Sequence, residues 1–248
     1  MRSRVKTLTI GFVLATAAMA GCSSTTAISS GAVQNDATAS ASSSPSPAAS
    51  TGAPAVVQEA APAEATAGAS CADGGVCQVG DTGPGSGIVF YVASAPFNAP
   101  GTACGTTCLY LEAQTSDLEK TSWCIGPAQE SVGFSIDAPG TAIGTGYLNT
   151  QAMLGTDNNP PAQICTSGAA NEAVAPSGGY SDWYLPSKVE LSTLFTQSNV
   201  VNGFSTTTYW SSTQSTPNYA WCDKFGNMGG FSSTQETFPL GVRAIRAF

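Results

Sequence analysis

The feature that most constrains this 248-residue chain is a long tract that cannot fold. Residues 23–70 are almost wholly Ser, Thr, Ala, Pro, Gly and Val, with no aromatic side chain, so burial there cannot offset the entropy of ordering. The expected organisation is a signal peptide at 1–21, a disordered tether at 22–70, and one ordinary domain at 71–248. About 48 residues of flexible coil span roughly 40 Å, and a stretched polyproline-like chain about 150 Å. The tether would thus hold its domain well away from an anchor, and its Ser, Thr and Pro content suits O-linked glycans.

Arg2, Arg4 and Lys6 precede an apolar run, Leu8 to Ala20, that is short for a membrane span and reads as a cleavable signal. The run closes on Met19-Ala20-Gly21-Cys22, which resembles a bacterial lipobox with Met19 in place of the more usual leucine. Acylation of Cys22 is therefore expected. Each buried methylene adds about 0.8 kcal/mol of membrane affinity, so two or three chains anchor permanently. The competing reading is an ordinary secretory signal cut near Ala17–Met19, with Cys22 left as a plain thiol. The expected location is extracytoplasmic, on a lipid bilayer at the bacterial cell envelope or surface.

Loss of residues 1–21 removes three bases and no acid, leaving five bases against sixteen acids and a formal charge of −11. Nucleic acid, anionic lipid surfaces and sulfated polysaccharides each need a basic stripe, so they are disfavoured as electrostatic partners. Seven cysteines follow Cys22, and in an exported protein they favour disulfides over metal ligation. Cys71–Cys77 and Cys104–Cys108 suit small closed loops. Cys124–Cys222 is the expected third bridge, with Cys165 a buried thiol inside a helix.

Elements can be read from the pattern. Ile88–Val92 and Leu109–Glu112 are expected strands, as are Tyr209–Ser212, Tyr219–Phe225 and Val242–Phe248. In the last, Arg243 and Arg246 mark solvent or salt-bridge positions. Helical pieces are expected near 147–154 and 160–173, parted by Asn158-Asn159-Pro160-Pro161. The clearest helix start is Ser187-Lys188-Val189-Glu190, a capping box, with Leu191, Leu194 and Phe195 on one face and an end before Asn202-Gly203. The glycine cluster from Gly80 to Gly87 has the look of a phosphate cradle, but a strand follows it where that mechanism needs a helix.

Several segments together resemble the Lcl C-terminal domain family: Val79-Gly80-Asp81-Thr82-Gly83-Pro84 before Gly87–Tyr91, Gly144-Thr145-Gly146 with Asn149-Thr150, Gly179–Lys188, Tyr209-Trp210-Ser211-Ser212 and Val242–Phe248. The resemblance covers about residues 78–248. It implies an α+β, C-type-lectin-like fold related to the formylglycine-generating-enzyme superfamily, with N- and C-terminal strands paired and two or three helices. Trp183, Leu185 and Trp210 are expected in its core. The family's namesake adhesin binds sulfated glycosaminoglycans, but only Lys120, Lys188, Lys224, Arg243 and Arg246 remain here to do so.

With no histidine, serine–histidine and cysteine–histidine hydrolysis is excluded. Formylglycine chemistry needs a late cysteine pair, and Cys222 is the only cysteine after Cys165. A glycosidase-like carboxylate pair remains conceivable among Asp182, Glu190, Asp223 and Glu236, although a cap, a turn and exposed strands offer no reason for a raised pKa. Asp157-Asn158-Asn159 has oxygen ligands for calcium, but reads better as a helix-ending turn. No cofactor or metal is expected. The leading expectation is a non-catalytic surface recognition or adhesion module for a glycan or protein, with contacts at Tyr180, Asp182, Tyr184, Trp221 and Phe231. The alternatives are a structural envelope lipoprotein without soluble ligand and a carboxylate-dependent glycan-acting enzyme.

Overall fold

In the computed structural model, residues 69–126, 136, 138–156, 164–206, 208–226 and 229–248 are described; the signal segment, most of the tether with Cys22, and Asp157-Asn158-Asn159 lie outside them. The described elements, in chain order, are β1 (Ile88–Ala99), β2 (Gly105–Ala113), β3 (Leu118–Thr121), α1 (Gly146–Leu154), α2 (Ala169–Ala173), α3 (Lys188–Thr196), α4 (Ser198–Val201), β4 (Thr208–Thr216), β5 (Tyr219–Lys224), β6 (Gly230–Gln235), β7 (Leu240–Val242) and β8 (Ile245–Ala247). The fold is α+β. One sheet runs β1-β2-β8, and the other runs β3-β7-β4-β5-β6. The first and last strands thus share one sheet, with β2 between them.

The expected strand Val242–Phe248 divides because its two halves serve different sheets. Val242 pairs with Leu118 in the larger sheet, whereas Ile245 and Ala247 pair with β2 in the smaller. Arg243-Ala244 makes the passage, which explains why the segment does not alternate as one strand would. Two strands were not legible: β3 is only four residues long, and β6 (Gly-Phe-Ser-Ser-Thr-Gln) has a single large apolar side chain.

Helix α3 begins as expected. The Ser187 side chain accepts from the Glu190 amide, and Glu190 accepts from the Ser187 amide at 2.7 Å. The single helix expected there divides at Gln197 into α3 and α4 and ends before Asn202, and there are four α-helices among the described residues rather than two or three. The helix expected over 160–173 reduces, in its described part, to Ala169–Ala173. Ser167 forms a bridge with Ile125, and residues 164–166 before it are bends and irregular chain instead of helix.

That bridge also corrects the disulfides. Cys71–Cys77 and Cys104–Cys108 form as expected, but Cys124 joins Cys165, not Cys222. The antiparallel Ile125–Ser167 contact, with the Thr166 amide donating to the Ile125 carbonyl at 2.7 Å, brings the two Cα atoms within 5.0 Å. Cys165 lies in irregular chain, not in a helix, and among the described residues the cysteine outside the bridges is Cys222, buried on β5. Three disulfides suit an extracytoplasmic compartment.

Two apolar clusters make the main core. Trp123, Met153, Trp183, Leu185 and Trp210 belong to one; Phe90, Leu111, Tyr184, Leu191, Tyr209 and Ile245 belong to the other. Each buried indole N–H is satisfied by a carbonyl: Trp123 by Ser211 at 2.7 Å, Trp183 by Ser177 and Trp210 by Thr121, both at 2.9 Å. Trp183, Leu185 and Trp210 are core residues, as expected. No described helix is long and apolar enough to cross a membrane.

Candidate functional site

Strand alternation gathers aromatic side chains on one face of the larger sheet. Along β5, Tyr219, Trp221 and Asp223 share a face, and their partners on β6 are Gln235, Ser233 and Phe231. Tyr219 is 39% exposed, Trp221 and Phe231 are half-buried, and Asp223 is buried. Lys188, from the first turn of α3, extends over this face: its Nζ lies 3.3 Å from the centre of the Trp221 ring and 4.9 Å from that of Phe231. Burial against the rings holds the lysine below its ordinary pKa. Trp221 and Phe231 are thus brought together, with Tyr219 and Lys188 added. Period-two spacing would have found Tyr219, whereas Lys188 arrives from a helix distant in sequence.

The other expected contacts lie elsewhere and are engaged by the protein itself. Arg246 on β8 is almost fully buried. It donates through Nη1 to Glu112 at 3.0 Å and through Nε to Asp182 at 2.5 Å, and its guanidinium stacks 3.7 Å from the centre of the Tyr180 ring. Asp182 and Tyr180 therefore orient an arginine. The second Asp182 oxygen, Oδ2, is buried without a hydrogen-bond partner among the described residues. Tyr184 is wholly buried, which removes it from any contact surface. Trp183 and Leu185 face one core cluster and Tyr184 the other, so both sides of this strand-like segment are covered.

Glu112 also explains the glycine cluster. Its carboxylate accepts from the Gly85 amide at 2.9 Å and the Gly87 amide at 3.0 Å. A Cβ on Gly85 would stand 2.8 Å from both Glu112 Oε1 and the Trp183 ring, so only glycine allows the approach. The loop does cradle an anion through backbone amides, and the anion is the chain's own carboxylate. The second arginine, Arg243, is buried too. It pairs with Asp117 at 2.6 Å and donates to the carbonyls of Gln114 and Gly203. Burial alone would raise Asp117, but hydrogen bonds from Ser205, Tyr209 and Arg243 outweigh it and hold that carboxyl below its usual value.

Two carboxyls contradict the expectation of exposed acids. Glu190 is wholly buried and is pushed up to about 7 by that burial, against the opposing hydrogen bonds from Ser187 and Gly144. Glu236, 1% exposed, is likewise raised to about 7 by burial, opposed by Gln214 donating at 2.7 Å. Its other oxygen has no hydrogen-bond partner among the described residues. Glu190 is ringed by the amides of Gly144 and Ser187 and by the Tyr184 hydroxyl.

The model of the Lcl C-terminal domain matches residues 147–246. The match begins after the Val79–Tyr91 and Gly144–Gly146 segments that contribute to the resemblance. No curated protein matches the chain. Among solved structures, a fimbrial protein from Bacteroides ovatus is similar at 16% identity and a TM-score of 0.40. The alignment covers 65% of this chain and 44% of that one, so the chain spans less than half of that protein's length.

Proposed function

We propose, from the match of residues 147–246 to the Lcl C-terminal domain, that this chain is a surface recognition or adhesion module without catalytic activity. In this reading an acylated Cys22 holds it to a bacterial envelope membrane, and the tether of residues 22–70 extends the domain outward. The observation that carries the reading is the β5–β6 face, where Tyr219, Trp221 and Phe231 gather on one side of a sheet. Aromatic faces stack on sugars and anchor protein interfaces.

The charge distribution supports a neutral ligand over a sulfated one. Arg243 and Arg246 are consumed in buried ion pairs, leaving Lys120, Lys188 and Lys224, of which Lys188 already lies on Trp221. Non-catalytic action is supported by the sealing of Glu190 and Glu236, whose raised pKa values would suit acid–base work only if a substrate reached them. The C-type-lectin-like relation implied by the family belongs to the same proposal, supported by the sharing of one sheet by the first and last strands.

Retention of the full chain on intact cells and purified wall material tests this reading. The Trp221→Ala/Phe231→Ala variant is expected to lose at least tenfold in retention while still unfolding in one cooperative transition, at a lowered melting temperature because both rings are half-buried under Lys188. Unchanged retention, with glycan and protein arrays coming back empty, would favour a structural envelope protein instead.

A further inference from the structure

A cleft of about 240 Å³ opens where the glycine loop, the chain following β2 and the 175–177 loop meet, and it shares no residue with the aromatic face. Its walls are tied to the buried charges. Glu112 pins the amides of Gly85 and Gly87, Arg243 Nη1 donates to the Gln114 carbonyl at 2.8 Å, and the Trp183 indole holds the Ser177 carbonyl. Gly178 closes on Gly85 so tightly that a Cβ there would overlap the Gly85 carbonyl. The cleft is therefore preformed.

Its lining has a consistent chemistry. Gln114 is only 9% exposed, it lines the cleft, and its side-chain amide makes no hydrogen bond among the described residues. The amide atoms are not sealed from solvent, so they open to the cleft and can exchange water for the polar groups of an occupant. The hydroxyls of Ser86, Thr115, Ser116 and Ser177 line the same space and are also without hydrogen bonds among the described residues. Ser86 sits at φ 64, between two glycines, where a third glycine would be free of strain. A hydroxyl is thus kept at a backbone position that disfavours it. Leu118, Ala175 and Pro176 supply the accessible apolar lining, and no charged side chain lines the cleft among the described residues.

We propose that this cleft binds one uncharged sugar unit of a glycan. Hydroxyls and an amide both donate and accept, which matches the hydroxyl array of a sugar and gives an ionic group nothing to pair with. The volume is below the about 300–1,000 Å³ of ordinary ligand pockets, which limits the occupant to a single ring. The proposal rests on the recognition reading above but names a different site and a narrower ligand class.

The test is binding of the full, detergent-solubilised chain to a panel of neutral oligosaccharides and matched sulfated ones. The expected result is saturable binding of at least one neutral member, at least tenfold weaker for Gln114→Ala and abolished for Ser116→Trp, with Trp221→Ala unchanged. Ser116 is exposed, so its replacement fills the cleft without removing a core contact. No neutral binding, preference for the sulfated members, or parental binding by both cleft variants overturns the proposal. Loss through Trp221→Ala with Ser116→Trp unaffected overturns the cleft and keeps the aromatic-face reading. Loss through the cleft variants alone, with wall retention indifferent to Trp221, supports the cleft and removes that face.

Discussion

Two glycine-bearing segments of this domain are organised by buried glutamates, and they differ in what stands opposite the charge. At the Gly83–Gly87 loop, Glu112 takes two backbone amides and the Arg246 guanidinium. At the Gly140–Gly146 segment, Glu190 takes the amides of Gly144 and Ser187 and the Tyr184 hydroxyl, with no cation among these partners. Amides alone leave a wholly buried carboxylate under-compensated, and Glu190 accordingly binds its proton up to about pH 7. The same device of a glutamate gathering a loop thus includes a cation in one place and none in the other.

The largest expected effect strikes the first region. Arg246→Met leaves Glu112 and Asp182 without their cation, and breaking a buried pair from one side costs about 4 kcal/mol. Urea denaturation should show this, and Glu112→Gln in the same background should recover part of it. A loss under about 1 kcal/mol would mean that the amides suffice at both sites. Next come the glycines. In Gly146→Ala the new methyl would overlap Glu190 Oε2, and in Gly85→Ala it would press on Glu112 and Trp183. Each should cost about 3 kcal/mol by overpacking, measured in the same way.

The third expectation is the pH dependence that separates the two regions. Because the folded pKa of Glu190 lies above its unfolded value, the native state holds more protons between about pH 4.5 and 7, and stability falls as pH rises through that window. Acidification from pH 8 to 5 should therefore stabilise the fold by about 2 kcal/mol through Glu190, with Glu236 adding in the same direction. Glu190→Gln should flatten the profile; an unaltered slope in that variant would assign the effect elsewhere. The smallest effect is expected at Ser86→Gly, where relief of the left-handed backbone and gain of chain entropy nearly cancel, within about 0.5 kcal/mol in a melting experiment.

What the sequence disclosed follows the range of the interactions. The Ser187–Glu190 box and the Cys71–Cys77 and Cys104–Cys108 loops close over three to six residues and were legible. The Cys124–Cys165 bridge was not, since it depends on Ile125 meeting Ser167. The ambiguity over Arg243 and Arg246 has the same origin: their carboxylate partners Asp117 and Glu112 lie 126 and 134 residues away. At the candidate site, Trp221 and Phe231 could be chosen by residue type. The burial of Tyr184 follows from its position between two clusters, which a segment read alone does not reveal.

The burial of Arg243 and Arg246 with their carboxylates also bears on the medium such a domain meets. Mobile ions screen exposed charges over about 10 Å at 0.1 M, but they screen buried pairs much less. The ion pairs that join the sheets to their loops therefore weaken less in brine than exposed pairs would, and the framework holding the aromatic face and the cleft is the less sensitive to salt for it.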